Sequence, residues 1–103
     1  MTDAMLILEK GIPFMESIML SEKTLTIGSA ASADIPIRNQ FVSRRHCQMD
    51  FQKGVFLMRD LESKNGTFVN GVPVSGNNPR ELSDGDIVEL AVNAVKLTYR
   101  IHD

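Results

Sequence analysis

Cysteine is nearly absent from this chain: Cys47 is the only one among 103 residues, so no internal disulfide can form. Histidine is almost as scarce. Two histidines and one cysteine match no structural zinc spacing, so neither a metal nor a cofactor is expected. No apolar run approaches the about 20 residues that span a bilayer. The opening MTDAMLILEK carries an acid and no basic group ahead of a very short apolar run, unlike a secretory leader. A cytoplasmic protein without membrane association is the expectation. Missing too is any window that sustains a helical period with caps.

The composition is otherwise ordinary. Hydrophobic residues make up 43% and charged residues 23% of the chain, which gives no sign of disorder. The length suits one domain with its own core, spanning 1–103 as a small protein or as one unit of a larger one. A formal net charge of −2 argues against a nucleic-acid binder, which needs a basic face for phosphates. The charge is unevenly spread, however. Six basic groups lie between Arg38 and Lys64 (Arg38, Arg44, Arg45, Lys53, Arg59, Lys64) against three acids, a net +3, and the rest of the chain carries −5.

Apolar and polar residues alternate in segment after segment, as on strands with one buried face. Strands are expected at Met5 to Glu9, Phe14 to Leu20, Leu25 to Ile27, Asp34 to Ile37, His46 to Phe51, Val55 to Asp60, Thr67 to Val69, Asp86 to Leu90 and Val95 to Ile101. In VKLTYRI, Val95, Leu97, Tyr99 and Ile101 face one way and Lys96, Thr98 and Arg100 the other. In HCQMDF the same rule puts Cys47, Met49 and Phe51 inside and His46, Gln48 and Asp50 outside. Turns at Lys64–Gly66, Val69–Val72, Ser75–Pro79 and Ser83–Asp86 use Asn-Gly and Asp-Gly chemistry. About 10–11 short strands in such a chain imply an all-β fold, a sandwich of two twisted and mainly antiparallel sheets.

Chemistry concentrates in FVSRRHCQMD (Phe41 to Asp50), where three readings compete: a nucleophile with its base, a metal or redox site, or a pocket for an anion. The first lacks a third group to orient the base. A Cys47–His46 pair would need neighbouring strand residues on one side, whereas they face opposite sides. Cys47 is most simply a small core residue, and the six scattered methionines fill the core. One of Arg59 and Asp60 is expected to be a structural ion-pair or turn partner.

Four segments, LTIGSAASADIPI, FVSRRHCQM, LMRDLESKNGTFVNGVPV and LSDGDIVEL, together resemble the forkhead-associated (FHA) domain family. Gly28, then Ser43 with His46, then Asn65 with Gly66 fall in that family's order and spacing. The resemblance implies a non-enzymatic β-sandwich whose end loops recognise phosphothreonine in a partner protein, with a monomer expected. It assigns Ser43 a hydroxyl contact to phosphate and places Arg44, Arg45 and Lys64 as cations around it. Asn65 would fix the peptide backbone, and Gly28, His46, Gly66 and Thr67 would hold the loops, with Asn70-Gly71 a hairpin turn. Residues about three places after the phosphothreonine would be selected by Arg38, Asn39 and Gln40 or by SGNNP. Where the family usually carries Arg, this chain has Ser29, which donates at most one uncharged hydrogen bond. The alternative implied is an FHA-fold interaction or assembly domain with weak or no phosphate dependence.

Overall fold

Alternating side chains build eleven strands and, among the described residues, no helix in this computed structural model, which describes residues 3–11 and 17–102. One sheet has six strands in the order β2 (Ser17–Leu20), β1 (Asp3–Lys10), β11 (Val95–His102), β10 (Ile87–Leu90), β7 (Thr67–Val69) and β8 (Val72–Pro73). The other has five, in the order β4 (Ile35–Pro36), β3 (Leu25–Gly28), β5 (Cys47–Gln52), β6 (Val55–Asp60) and β9 (Arg80–Glu81). Every ladder is antiparallel except β3 with β4. The expected all-β, mainly antiparallel two-sheet architecture is therefore present.

Inward rows from both sheets interleave to form the core. Leu6, Ile27, Met49, Met58, Val88, Leu90 and Leu97 are wholly buried, each removing apolar surface worth about 1.5–3 kcal/mol from water. On β11 the expected alternation holds, with Val95, Leu97 and Tyr99 buried, Ile101 half-buried and Arg100 exposed. Within the expected Phe14–Leu20 strand, residues 17–20 form β2, and the earlier ones lie outside the described residues. The expected Asp34–Ile37 strand shrinks to two residues.

Three side chains in HCQMDF depart from simple alternation. His46 is not an outward strand residue: β5 begins at Cys47, and the imidazole just before it is wholly buried. Asp50 does sit on the outer side, yet it is buried beneath its partners. Arg59 Nε donates to its Oδ2 at 3.0 Å and Gln48 Nε2 to its Oδ1 at 2.7 Å. Phe51 is half-buried and stacks on Phe56 with ring centroids 5.0 Å apart.

The topology gathers the β3–β4, β4–β5, β6–β7 and β10–β11 connections at one end. Hydrogen bonds tie them: Ser29 N–H to the Ser43 carbonyl (2.9 Å), Leu61 N–H to the His46 carbonyl (3.0 Å) and Ala91 N–H to the Gly66 carbonyl (2.9 Å). At the other end Asp3 pairs with His102, alongside the β5–β6 turn at Lys53-Gly54.

Candidate anion-binding site

Gly28 closes β3 with its backbone pressed against the next loop. A Cβ there would fall on the Arg44 carbonyl group, 2.7 Å from its carbon, so any side chain would push the Ser43–Arg45 segment away. Because none is present, Ser29 and Ala30 donate their N–H groups to the Ser43 and Arg44 carbonyls. The absent Cβ at Gly28 thus brings Ser29 beside Ser43.

His46 is the internal strut of the site. Its Nδ1 accepts from the Ser43 N–H at 3.0 Å, and its Nε2 lies 2.7 Å from the Gly66 carbonyl. Since Nδ1 accepts, the ring proton is on Nε2, which donates to the carbonyl. Both ring nitrogens are thereby committed to backbone, and neither addresses the Ser43 hydroxyl. The nucleophile-and-base geometry required for hydrolysis is not formed.

A second organiser is Asp60, which with Arg59 was expected to supply a structural ion-pair or turn partner and here holds the turn that follows β6. Its Oδ1 accepts from the Ser63 hydroxyl (2.6 Å) and the Thr67 hydroxyl (2.7 Å), and its Oδ2 accepts from the Ser63 N–H (3.1 Å). Ser63 Oγ in turn accepts the Gly66 N–H at 2.9 Å. Glu62 and Gly66 take left-handed backbone at φ 56° and 88°, so the loop needs glycine at its tighter corner. The sequence signal was the Asp60/Ser63 offset of three, a usual side-chain-to-backbone turn pattern. Thr67, wholly buried, joins this network, and Arg59 is the partner of Asp50.

On this frame Ser43 and Asn65 meet. Ser43 Oγ accepts the Lys64 N–H at 3.0 Å, which leaves its hydroxyl proton free to donate elsewhere. Asn65 Nδ2 donates to the Phe41 carbonyl at 2.9 Å, while its Oδ1 makes no hydrogen bond among the described residues. Arg44, Arg45, Lys64 and Arg38 are exposed. The ion pairs among the described residues are Arg59–Asp50 and Arg100–Asp84, so none of those four cations is neutralised by one. Arg44 and Lys64 adjoin Ser43 and Asn65 in sequence. Arg45 instead lines a separate depression with Arg59, Asp60, Leu61, Glu62, Gly76 and Asn77. Asn39 is used locally, its Oδ1 accepting the Phe41 N–H at 2.9 Å.

Cys47 is enclosed behind the site. Burial is the main force pushing its thiol far above the usual range; the Thr67 hydrogen bond opposes that shift, and Asp60 adds to it. A thiol so held is a core side chain, not a nucleophile. Among the described residues no cluster of His, Cys, Asp or Glu could hold a metal.

A β-sandwich with a donor hydroxyl and un-neutralised cations on hydrogen-bonded end loops has the elements of a rigid anion-binding surface. The FHA domain family model matches residues 25–91, and the chain belongs to that family. It is 36% identical over 86 residues to an oxoglutarate dehydrogenase inhibitor of Corynebacterium diphtheriae, covering 84% of this chain and 58% of that protein. A solved chain from a structural and functional analysis of phosphothreonine-dependent FHA domain interactions superposes with a TM-score of 0.84 at 32% identity, covering 98% of both. The N-terminal FHA domain of S. cerevisiae Rad53p, in complex with a phosphothreonine peptide, gives 0.84 at 25% identity, covering 98% of this chain and 94% of that one. The chain spans between half and two thirds of the length of the Corynebacterium inhibitors and of the Mycolicibacterium smegmatis regulator GarA that it matches, and 15% of Mycobacterium tuberculosis FhaA.

Proposed function

We propose that this chain binds phosphothreonine in a partner protein, without catalysis, and so makes a protein–protein contact conditional on phosphorylation. The observation that carries this reading is the Ser43 hydroxyl. Its acceptor side is occupied by the Lys64 N–H, so its proton is left for an incoming oxygen. A phosphothreonine brings about −1.5 to −2 charges and three strong acceptors, which the hydroxyl and the Arg44 and Lys64 cations complement. Asn65, through its Oδ1, would accept a backbone N–H of the bound peptide. Solved relatives that engage phosphothreonine support the same reading.

Fluorescence anisotropy with phosphothreonine, phosphoserine and unphosphorylated peptide pools at two salt concentrations tests it. Binding confined to the phosphothreonine pool and weaker at high salt is the expected result. Equal binding to all three pools would overturn the reading.

A second reading rests on Ser29. Its N–H is committed to Ser43, and its side chain brings no charge where the family usually has arginine. A lost charge-assisted bond is worth about 1.5–3 kcal/mol, up to about a hundredfold in affinity. Under this reading the domain is a phosphate-independent assembly surface. Ser29→Arg separates the two: on a phosphate reader that lacks one cation it tightens binding, and on an assembly surface it changes nothing.

A further inference from the structure

Only two of the six asparagines, Asn65 and Asn70, precede a glycine. Asparagine is a thermally labile residue, and its decay runs through the next backbone nitrogen. That nitrogen attacks the side-chain Cγ: the N–Cγ bond forms, the Cγ–Nδ2 bond breaks, and ammonia leaves with the amide proton. Water then opens the cyclic imide at either carbonyl, giving aspartate or its iso form, so water is the sole co-reactant. A following glycine has no Cβ to obstruct the approach, which singles out these two pairs.

The fold guards them unequally. Asn70 is held at both ends of its carboxamide, Nδ2 donating to Asp86 Oδ1 and Oδ1 accepting the Ile87 N–H, each at 2.9 Å. Its own N–H donates to the Ile87 carbonyl at 2.8 Å, so its Cγ cannot swing toward Gly71 without breaking the junction with β10. Asn65 is exposed and held at one end only, by Nδ2 on the Phe41 carbonyl, while its Oδ1 makes no hydrogen bond among the described residues. The restraint there acts on the nucleophile instead. The Gly66 N–H donates to Ser63 Oγ at 2.9 Å, and the Ser63 hydroxyl is anchored on Asp60 at 2.6 Å. This latch is one hydrogen bond on an exposed loop, where local opening is easiest. Lys64, not neutralised by an ion pair among the described residues, adjoins Asn65 in sequence and favours the negative charge that gathers on Oδ1 during attack.

We infer that Asn65 is a modification site at which spontaneous deamidation switches the phosphothreonine reader off, and that Ser63 is its latch. The inference rests on the phosphothreonine reading above. Under that reading the product sets a carboxylate where the peptide backbone docks, close to the phosphate, and like charges oppose each other there. The iso form also adds a carbon to the main chain of the loop. A bound peptide delays the change, because its backbone N–H occupies Oδ1 and Asn65 is then held at both ends, as Asn70 already is. An occupied domain keeps its site, and an idle one loses it with age.

Peptide mapping by mass spectrometry tests this on the parent, Ser63→Ala and Ser63→Thr proteins aged at neutral and mildly alkaline pH, with circular dichroism as the check on folding. Asn65 should convert before Asn70 in the parent, and about fivefold faster in Ser63→Ala. Ser63→Thr, which keeps a hydroxyl, should age like the parent. Conversion at Asn70 first, or a rate at Asn65 unmoved by Ser63→Ala, overturns the inference. A phosphothreonine peptide at about ten times its Kd should slow conversion of the parent about tenfold. Asn65→Asp should bind that peptide about fivefold more weakly than Asn65→Ala, and equal binding by the two overturns the switch. A parent that binds no phosphothreonine peptide overturns the phosphothreonine reading and the switch with it, whereas conversion at Asn65 is read separately, by mass.

Discussion

Ser43 and Asn65 are held differently, and under the phosphothreonine reading both are needed for binding. Ser43→Ala removes the hydroxyl donor and also orphans the Lys64 N–H that it accepts. Asn65→Ala removes the acceptor proposed for the peptide backbone and the hydrogen bond to the Phe41 carbonyl. Each is expected to weaken phosphothreonine-peptide binding by about 1–3 kcal/mol with the circular dichroism spectrum unchanged, measured by anisotropy titration. His46 should behave otherwise. His46→Phe keeps the bulk but strands the Ser43 N–H and the Gly66 carbonyl inside the protein, at about 1–3 kcal/mol for each. Urea denaturation should show that loss without any ligand present. A variant as stable as the parent would mean that the ring is not the strut between the two loops.

The long strands were readable because six or more alternating residues determine which face is buried, and β5, β6 and β11 appear where VKLTYRI and its counterparts place them. Strands β8 and β9 were not. Two residues carry no period, and their pairing is decided by neighbours, Phe68 with Pro73 and Met58 with Arg80. His46 was put on the wrong face because alternation was extended one residue past the true start of β5. For the site, Gly28, Ser43, His46 and Asn65 could be named through the FHA resemblance, whose order and spacing they match. The turn of Arg45 into another depression and the depression shared by Phe41 and Val92 depend on chain crossings that no local window contains, whereas the Asp60 network stays within Asp60 to Thr67 and shows locally as the Asp60/Ser63 offset. The turn after β7, though not the strand β8 beyond it, was legible from its Asn-Gly pair: Asn70 and Gly71 take φ of 51° and 81°. Asn70 also donates to Asp86 and accepts the Ile87 N–H, locking the hairpin to β10. Gly71→Ala should cost about 1–2 kcal/mol, a fall of roughly 4–8 °C in Tm per kcal/mol for a domain this size, read by thermal denaturation with peptide affinity unchanged.

For the molecule as a whole, alkaline stability follows from the core. Burial raises the Cys47 thiol pKa, and burial, with Asp84 adding to it, raises that of Tyr99. Unfolded, the thiol loses its proton near about pH 8.5 and a tyrosine near about pH 10. Above about pH 8.5 the unfolded chain therefore binds fewer protons than the folded one, and stability falls as pH rises. The limiting slope is about 1.4 kcal/mol per pH unit for the thiol alone. Urea midpoints measured from neutral pH to about pH 10 should fall in the parent and stay nearly flat in Cys47→Ala, whose starting stability is lower because of its cavity. A parallel decline in both would assign the effect to another group. The pairing of Asp3 with His102 matters on a larger scale. Asp3 and His102 lie side by side at the back of the sandwich, like the lead of a plug whose pins face forward. A tether fixed at that end is expected to stand clear of the Ser43 and Asn65 loops, so peptide affinity measured with and without it should agree.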